Sequence, residues 1–317
     1  MILSGTVLAV VKLLAGFILL FFGGDWLVDG GVALARKYRI SSLVIGMTIV
    51  AFGTSAPELL VSTISAIKGN AGIAMGNVLG SNIANIGLIL GLTALICPIE
   101  TDNKLVLHHG TIMILASLLL LVFSLKSGIS RIEGFTLFAC LILFTSISIR
   151  KGRTQQEADS DDTQGKSMTV LAALGLIVLA CAMLAFGADI LVDGATTLAS
   201  AMGVSDKVIG LTIVALGTSL PELAASVAAA IKKQMDISIG NIIGSNIFNI
   251  LCVLGVSTSI KPISLEFSYY LSDFIWMLGF SVFILIFTTF RKKKGRLGRT
   301  AGILFLLAYA IYAWSLF

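Results

Sequence analysis

Residues 46–86 read GMTIVAFGTSAPELLVSTISAIKGNAGIAMGNVLGSNIANI, and residues 210–250 read GLTIVALGTSLPELAASVAAAIKKQMDISIGNIIGSNIFNI. The two align without a gap at an offset of 164 residues, so one unit is used twice. The register runs outward on both sides. Asp25 and Asp29 fall on Asp189 and Asp193, Pro57 falls on Pro221, and Pro98 falls on Pro262, so all four prolines form two repeat-related pairs.

Around this unit the chain is oily. Apolar residues make up 57% of its 317 positions and charged residues 12%, with a mean hydropathy of +1.01, far outside the range of water-soluble domains. Ten apolar stretches, near 5–22, 43–66, 73–96, 105–125, 132–149, 168–191, 208–231, 237–260, 267–290 and 301–317, are each long enough for a helix across a hydrocarbon core of about 30 Å. The expected fold is an all-α integral membrane protein of ten transmembrane helices. Residues 1–149 form the first five-helix repeat and 168–317 the second; 150–167 (RKGRTQQEADSDDTQGKS) is a polar cytoplasmic linker. An odd number of spans per half makes the second copy enter the bilayer from the opposite side. Such an inverted repeat places substrate sites near the midplane, between the halves.

Lys and Arg collect in cytoplasmic loops. With the N-terminus outside, the inner loops hold 16 of them and the outer loops 5, so both termini are expected outside a multi-pass cell-membrane protein. The net charge of +5 then reports topology and attraction to anionic lipid; it is no argument for nucleic acid. The first 25 residues lack a basic n-region and a small-residue cleavage site, which reads as a retained first helix.

GTSAPE (53–58) and GTSLPE (217–222) place Glu58 and Glu222 inside apolar spans. A charge at the centre of a membrane helix costs about 2.5–3.5 kcal/mol on insertion scales, so such groups face one another, a polar cavity or an ion path. Pro57 and Pro221 lack an N–H and deprive the carbonyls of Gly53 and Gly217 of a helical partner, which predicts broken helices in spans 2 and 7. The carbonyls of Ala51, Thr54, Ala215 and Thr218 can then turn inward, and the hydroxyls of Thr54, Ser55, Thr218 and Ser219 add oxygen donors. GNVLGSNIAN (76–85) and GNIIGSNIFN (240–249) carry Asn77, Ser81, Asn85 and Asn241, Ser245, Asn249 at spacings of four, one helical face in each copy. Gly76 with Gly80, and Gly240 with Gly244, have the small-xxx-small spacing that permits close helix approach in lipid. The inventory is carboxylate, hydroxyl, amide and carbonyl oxygen, without thiol or imidazole. That is a set for hard cations such as Ca2+ and Na+.

The paired GTSxPE and GSNIxN blocks in inverted halves resemble the sodium/calcium exchanger family of the calcium/cation antiporters, over essentially the whole chain. The resemblance implies a minimal prokaryotic form, an alternating-access antiporter that moves Ca2+ against several Na+ ions, electrogenically if three sodium ions exchange for one calcium. It implies that Glu58, Glu222, Thr54 and Thr218 surround Ca2+. Sodium would draw on Ala51, Ser55 and Ser81 in one half and on Ala215, Ser219 and Ser245 in the other, with Asn85 and Asn249 beside the centre. No resident cofactor and no obligatory protein partner is expected, since the ions are cargo. Potassium-dependent relatives carry aspartate where Asn249 stands, and proton-coupled calcium exchangers resemble a GNxxE pattern where this chain has GTSxPE; both departures favour sodium. Calcium/proton or potassium-dependent exchange is the alternative, followed by a non-coupled cation channel. An intramembrane enzyme would need an activated nucleophile or catalytic metal, and none is evident.

The remaining polar and aromatic residues read as structural. Asp25, Asp29, Asp189 and Asp193 stand toward span ends, as helix-end or interhelix groups. His108 and His109 lie near the start of the fourth span with no further metal ligand at useful spacing, Lys12 can snorkel or pair, and Trp26, Trp276 and Trp314 read as interfacial anchors or packing. Cys97, Cys140, Cys181 and Cys252 have no paired spacing and read as apolar packing.

Overall fold

The computed structural model describes residues 2–101, 103–126, 128–156, 168–204, 213, 215–264, 266–289 and 295–316. Of the expected linker 150–167, residues 150–156 instead continue the preceding helix and 157–167 lie outside the described residues, as do 205–212 and 214 at the start of the second repeat unit and the basic run 291–294.

Helix α1 runs from Ile2 to Tyr38, well past the apolar stretch that predicts it, because Asp25 finds a cationic partner and need not end the helix. The chain then turns through Ser41, whose hydroxyl accepts the Val44 N–H, into α2 (Ser42–Ile45), a π-wound stretch (Gly46–Val50) and α3 (Ala51–Thr54). Helix α4 (Ala56–Ile67) leaves at 48° to the preceding run. Next come α5 (Ala71–Ala84), a π-wound stretch (Asn85–Leu90), α6 (Gly91–Ile96), α7 (Asn103–Ser124) and α8 (Arg131–Gln156). Beyond the linker follow α9 (Val170–Ala201), α10 (Ala215–Gly217), α11 (Leu220–Ile231) and α12 (Met235–Phe248). A π-wound stretch (Asn249–Leu254), α13 (Gly255–Ile260), α14 (Phe267–Thr289) and α15 (Arg299–Ser315) complete the described chain. The sequence offset of 164 is kept by the structure: α4 and α11, α5 and α12, the π-wound stretches after them, and α6 and α13 begin and end at equivalent residues.

Among the described residues seven helices are long and apolar enough to cross a membrane, and an eighth is added if the bent run from Ser42 to Ile67 counts as one span. Helices α11 and α15 are apolar but shorter. The chain is thus an all-helical membrane protein but for two small antiparallel ladders, which the all-α reading did not anticipate. Strand β1 (Ile99–Thr101) pairs with β4 (Gly295–Leu297), and β2 (Gly128–Ile129) pairs with β3 (Ile263–Ser264). Proline explains where the helices stop, since the residue before it avoids the helical region. Cys97 and Lys261, preceding Pro98 and Pro262, are both extended, and the chain beyond them is free to pair.

Helices α1 and α9 lie against each other along most of their length. Gly16 meets Gly187 and Leu191, whereas Gly30, farther along α1, meets Ile177 and Ala173, earlier in α9, so these two equivalent helices run in opposite directions. A Cβ at Gly16 would stand 2.6 Å from the Cβ of Leu191, which shows how far the approach depends on missing side chains. At the centre, the runs from Ala71 to Ile96 and from Met235 to Ile260 are the most buried. Each unit's α4 or α11 packs on its own next helix and on the other unit's run: α4 against 249–260, α11 against 85–96. Gly240 and Gly244 give the expected close approach, with Leu43 and Met47; the matching partners of Gly76 and Gly80, around 207–211, lie outside the described residues.

The interhelix reading of the aspartates holds for three of them. Lys232 sits 2.7 Å from Asp25 and 2.6 Å from Asp29, and Lys12 pairs with Asp193. His109 is buried with its ring edge toward Phe144, Trp276 packs on Phe280 and Tyr312, and Trp314 points outward.

Candidate ion-binding site

Ser55, at the 48° bend, and its equivalent Ser219 have φ, ψ of −82°, 6° and −89°, 1° and stand between one helical segment and the next. Proline suits the first turn of the segment that follows, which has no use for its N–H. Pro57 and Pro221 are the second residues of α4 and α11, and Glu58 and Glu222 fall in the first turns of those helices. Unpaired backbone N–H groups and the helix dipole favour negative charge there. Each carboxylate is held deep in the protein at a helix N-terminus.

Glu58 and Glu222 are 0% and 1% exposed, and the two carboxylates lie close enough to interact electrostatically. Their surroundings come from both repeat units. Ser55 of the first donates to Glu222 Oε1 at 3.0 Å, with the Thr54 and Ser245 hydroxyls also facing that carboxylate. Ser81 donates to Glu58 Oε1 at 3.5 Å, and Thr218 of the second unit faces Glu58. The Thr54 hydroxyl reaches the Ala51 carbonyl at 3.2 Å and Ser245 Oγ at 3.4 Å. The same Ala51 oxygen accepts the Ser55 N–H at 2.9 Å, so it keeps a helical bond at the bend.

The structure thus gathers Glu58, Glu222, Thr54, Thr218, Ser55, Ser81, Ser245 and the Ala51 carbonyl around one centre. Asn85 and Asn249, at the first residue of each π-wound stretch, are buried, and their amide groups have no hydrogen-bond partner among the described residues. A π turn widens the helix locally and recurs at functional sites. Ser219 Oγ and the second carboxylate oxygens, Glu58 Oε2 and Glu222 Oε2, are likewise buried without a partner. Buried oxygens are rarely left so, and a cluster of them with only two carboxylates suits a cation that binds neutral oxygen as readily as charged oxygen. Ser219 also breaks the symmetry, because its equivalent Ser55 does reach the opposite carboxylate. Ala215 opens α10.

Four polar residues beside the site were not among the expected ligands. Asn77 donates to the Glu58 carbonyl at 3.3 Å and to Ser62 Oγ at 2.9 Å, and Asn241 makes the same two bonds to Glu222 and Ser226, at 3.3 and 2.9 Å. The signal was present, since Ser62 and Ser226 are repeat-related and stand four residues after the glutamates, one turn along the same face.

Among the described residues no group of three or more His, Cys, Asp or Glu side chains could hold a metal ion. Any ion here is therefore held largely by neutral oxygen.

The chain is 39% identical to a putative antiporter, CaxA, of Alkalimonas amylolytica, with 98% of each covered, and 33% identical to the sodium/calcium exchanger MaX1 of Methanosarcina acetivorans, over 96% of this chain and 97% of that one. Among solved structures it superposes with a TM-score of 0.84 on the sodium-calcium exchanger NCX_Mj soaked with 10 mM Na+ and zero Ca2+, at 35% identity, covering 98% of this chain and all of that one. The family model for sodium/calcium exchanger proteins matches residues 8–150 and 172–317, and the chain belongs to that family.

Proposed function

We propose that this protein is a secondary active antiporter that exchanges Na+ for Ca2+ across the cell membrane by alternating access. One observation carries the reading: two buried glutamates, one from each repeat unit, lie close enough to interact electrostatically among hydroxyl oxygens drawn from both units. Two carboxylates balance one divalent cation, and sodium ions compete for the same oxygens. Ca2+ would lie between Glu58 and Glu222 with Thr54 and Thr218. Na+ would use Ala51, Ser55 and Ser81, and Ala215, Ser219 and Ser245, with Asn85 and Asn249 beside the centre.

The architecture proposed with it has ten spans in two inverted five-helix units, with spans 2 and 7 broken at Ser55 and Ser219. The antiparallel pairing of α1 with α9 supports the inversion. The side that carries the end of α8 and the start of α9 is cytoplasmic in this topology, with both termini outside. With more sodium charge moving one way than calcium charge the other, the cycle is electrogenic and responds to membrane potential.

The test is radiolabelled calcium uptake into proteoliposomes loaded in turn with Na+, K+ or H+. Only an outward sodium gradient should drive uptake. Calcium entry with no counter-ion gradient would mark a channel, and entry driven by protons or requiring potassium would mark the related exchanger classes.

A further inference from the structure

The bonds of Asn77 and Asn241 reach beyond their own repeat units. A backbone carbonyl can only accept, so the contact to Glu58 or Glu222 fixes which end of each amide faces it. With the two amide protons directed at that carbonyl and at Ser62 or Ser226, each amide oxygen must point the other way. There it meets a threonine of the opposite unit: Asn77 Oδ1 accepts from Thr218 Oγ1 at 3.4 Å, and Asn241 Oδ1 accepts from Thr54 Oγ1 at 3.2 Å. A hydroxyl has one proton. For Thr54 the competing acceptors are the Ala51 carbonyl, also at 3.2 Å and an oxygen that the proposed sodium site would engage, Ser245 Oγ at 3.4 Å and the Glu222 carboxylate that the hydroxyl faces. Asn241 gives that proton somewhere to go once the carbonyl is committed to an ion.

We propose that Asn77 and Asn241 are positioning residues that hold the hydroxyl protons of Thr218 and Thr54 away from the centre, so that each threonine shows lone pairs to the cation. The proposal rests on the exchange function above and adds how each unit prepares a ligand supplied by the other. A threonine free to rotate would spend part of its time pointing a proton at the ion, which weakens binding of Ca2+ and Na+ without changing the ligand list.

The experiment is a double-mutant cycle in proteoliposomes with the full chain, reading the calcium concentration at half-maximal sodium-driven uptake and the maximal rate. N241L should raise that concentration about tenfold, with a smaller change in maximal rate. The same rise should appear in a T54S background, which keeps the hydroxyl, and vanish in T54V, which has no proton to orient. N77L with T218S and T218V gives the second, independent cycle. Equal effects of the asparagine change in all three backgrounds would overturn the proposal, as would loss of a monodisperse folded protein in both asparagine variants while T54V folds, since either result assigns these amides to the scaffold. Absence of sodium-driven uptake in the unsubstituted protein would instead defeat the proposed function.

Discussion

On the linker side, where α8 ends and α9 begins, α1 packs along α11, and Lys232 at the end of α11 is paired with Asp25 and Asp29 of α1. On the far side the equivalent helices are α9 and α4, and among the described residues they have no comparable packing. Lys68, the counterpart of Lys232, is exposed and has no ion pair among the described residues, while Asp193, the counterpart of Asp29, is paired with Lys12 instead. The side chains give the reason. Gly24 of α1 lies against Ala224 and Ala228, whereas the equivalent positions are Ala188, Leu60 and Ile64, and Leu60 and Ile64 are 62% and 49% exposed. Small residues let two helices close in lipid, and branched ones hold them apart. The comparison teaches that the duplication has kept the pocket nearly symmetric while the helix pairs flanking it have diverged, so that α1 packs on α11 whereas, among the described residues, α9 has no comparable packing on α4.

Neutralising the pocket should produce the largest effect and treat the two repeat units alike. Glu58→Gln and Glu222→Gln should each reduce sodium-driven calcium uptake by at least about 100-fold, because removing either charge leaves a divalent ion unbalanced in a dry site. If one variant retains substantial uptake, the units are not equivalent at the centre. Gly24→Leu comes next. Its Cβ would stand 2.8 Å from the Ala224 carbonyl oxygen, a backbone atom that cannot swing aside. Overpacking of this kind costs about 1–3 kcal/mol, so the close packing of α1 on α11 should lose roughly 5- to 150-fold in population. A cysteine placed at Ala228 should then react with a water-soluble thiol reagent that it resists in the parent.

The reverse change sharpens the comparison. Leu60→Ala with Ile64→Ala gives α4 the small surface of α11, and a reporter cysteine at Ile67 should become several-fold less reactive as α9 gains room to close on it. Unchanged labelling would mean that side-chain bulk does not set the asymmetry. Lys232→Met should have the smallest effect. Asp25 and Asp29 are 36% and 50% exposed at their side chains, and pairs of this kind contribute about 0.2–1 kcal/mol each, a shift of only a few-fold. That shift should fade as salt is raised, since the screening length is already about 8 Å at physiological ionic strength.

Much of this molecule was legible in its residues. The duplication, the apolar helices and the pair Glu58 and Glu222 follow from a gapless self-match and from the cost of burying a carboxylate, both of which depend on local sequence alone. The 48° bend between α3 and α4 was expected from proline chemistry, and Pro57 and Pro221 both fall in the first turn of the segment that follows. The strand pairing beyond Cys97 and Lys261 was missed, because a two- or three-residue ladder has no periodicity to detect. The same limit hid the roles of Asn77 and Asn241. Their spacing put them on the polar face, but only the packed structure shows that each amide reaches a threonine of the opposite unit.

By itself, then, the sequence determined which groups are too costly to leave in lipid and that each exists twice. The tertiary structure alone decided which hydroxyl serves which carboxylate, and that Lys232 is paired while Lys68 has no ion pair among the described residues. The physical reason is that burial cost belongs to a residue and its neighbours along the chain, whereas hydrogen-bond partnership and helix packing depend on ångström-scale distances between separate segments, 23 residues apart for Ser81 and Glu58 and 167 for Ser55 and Glu222.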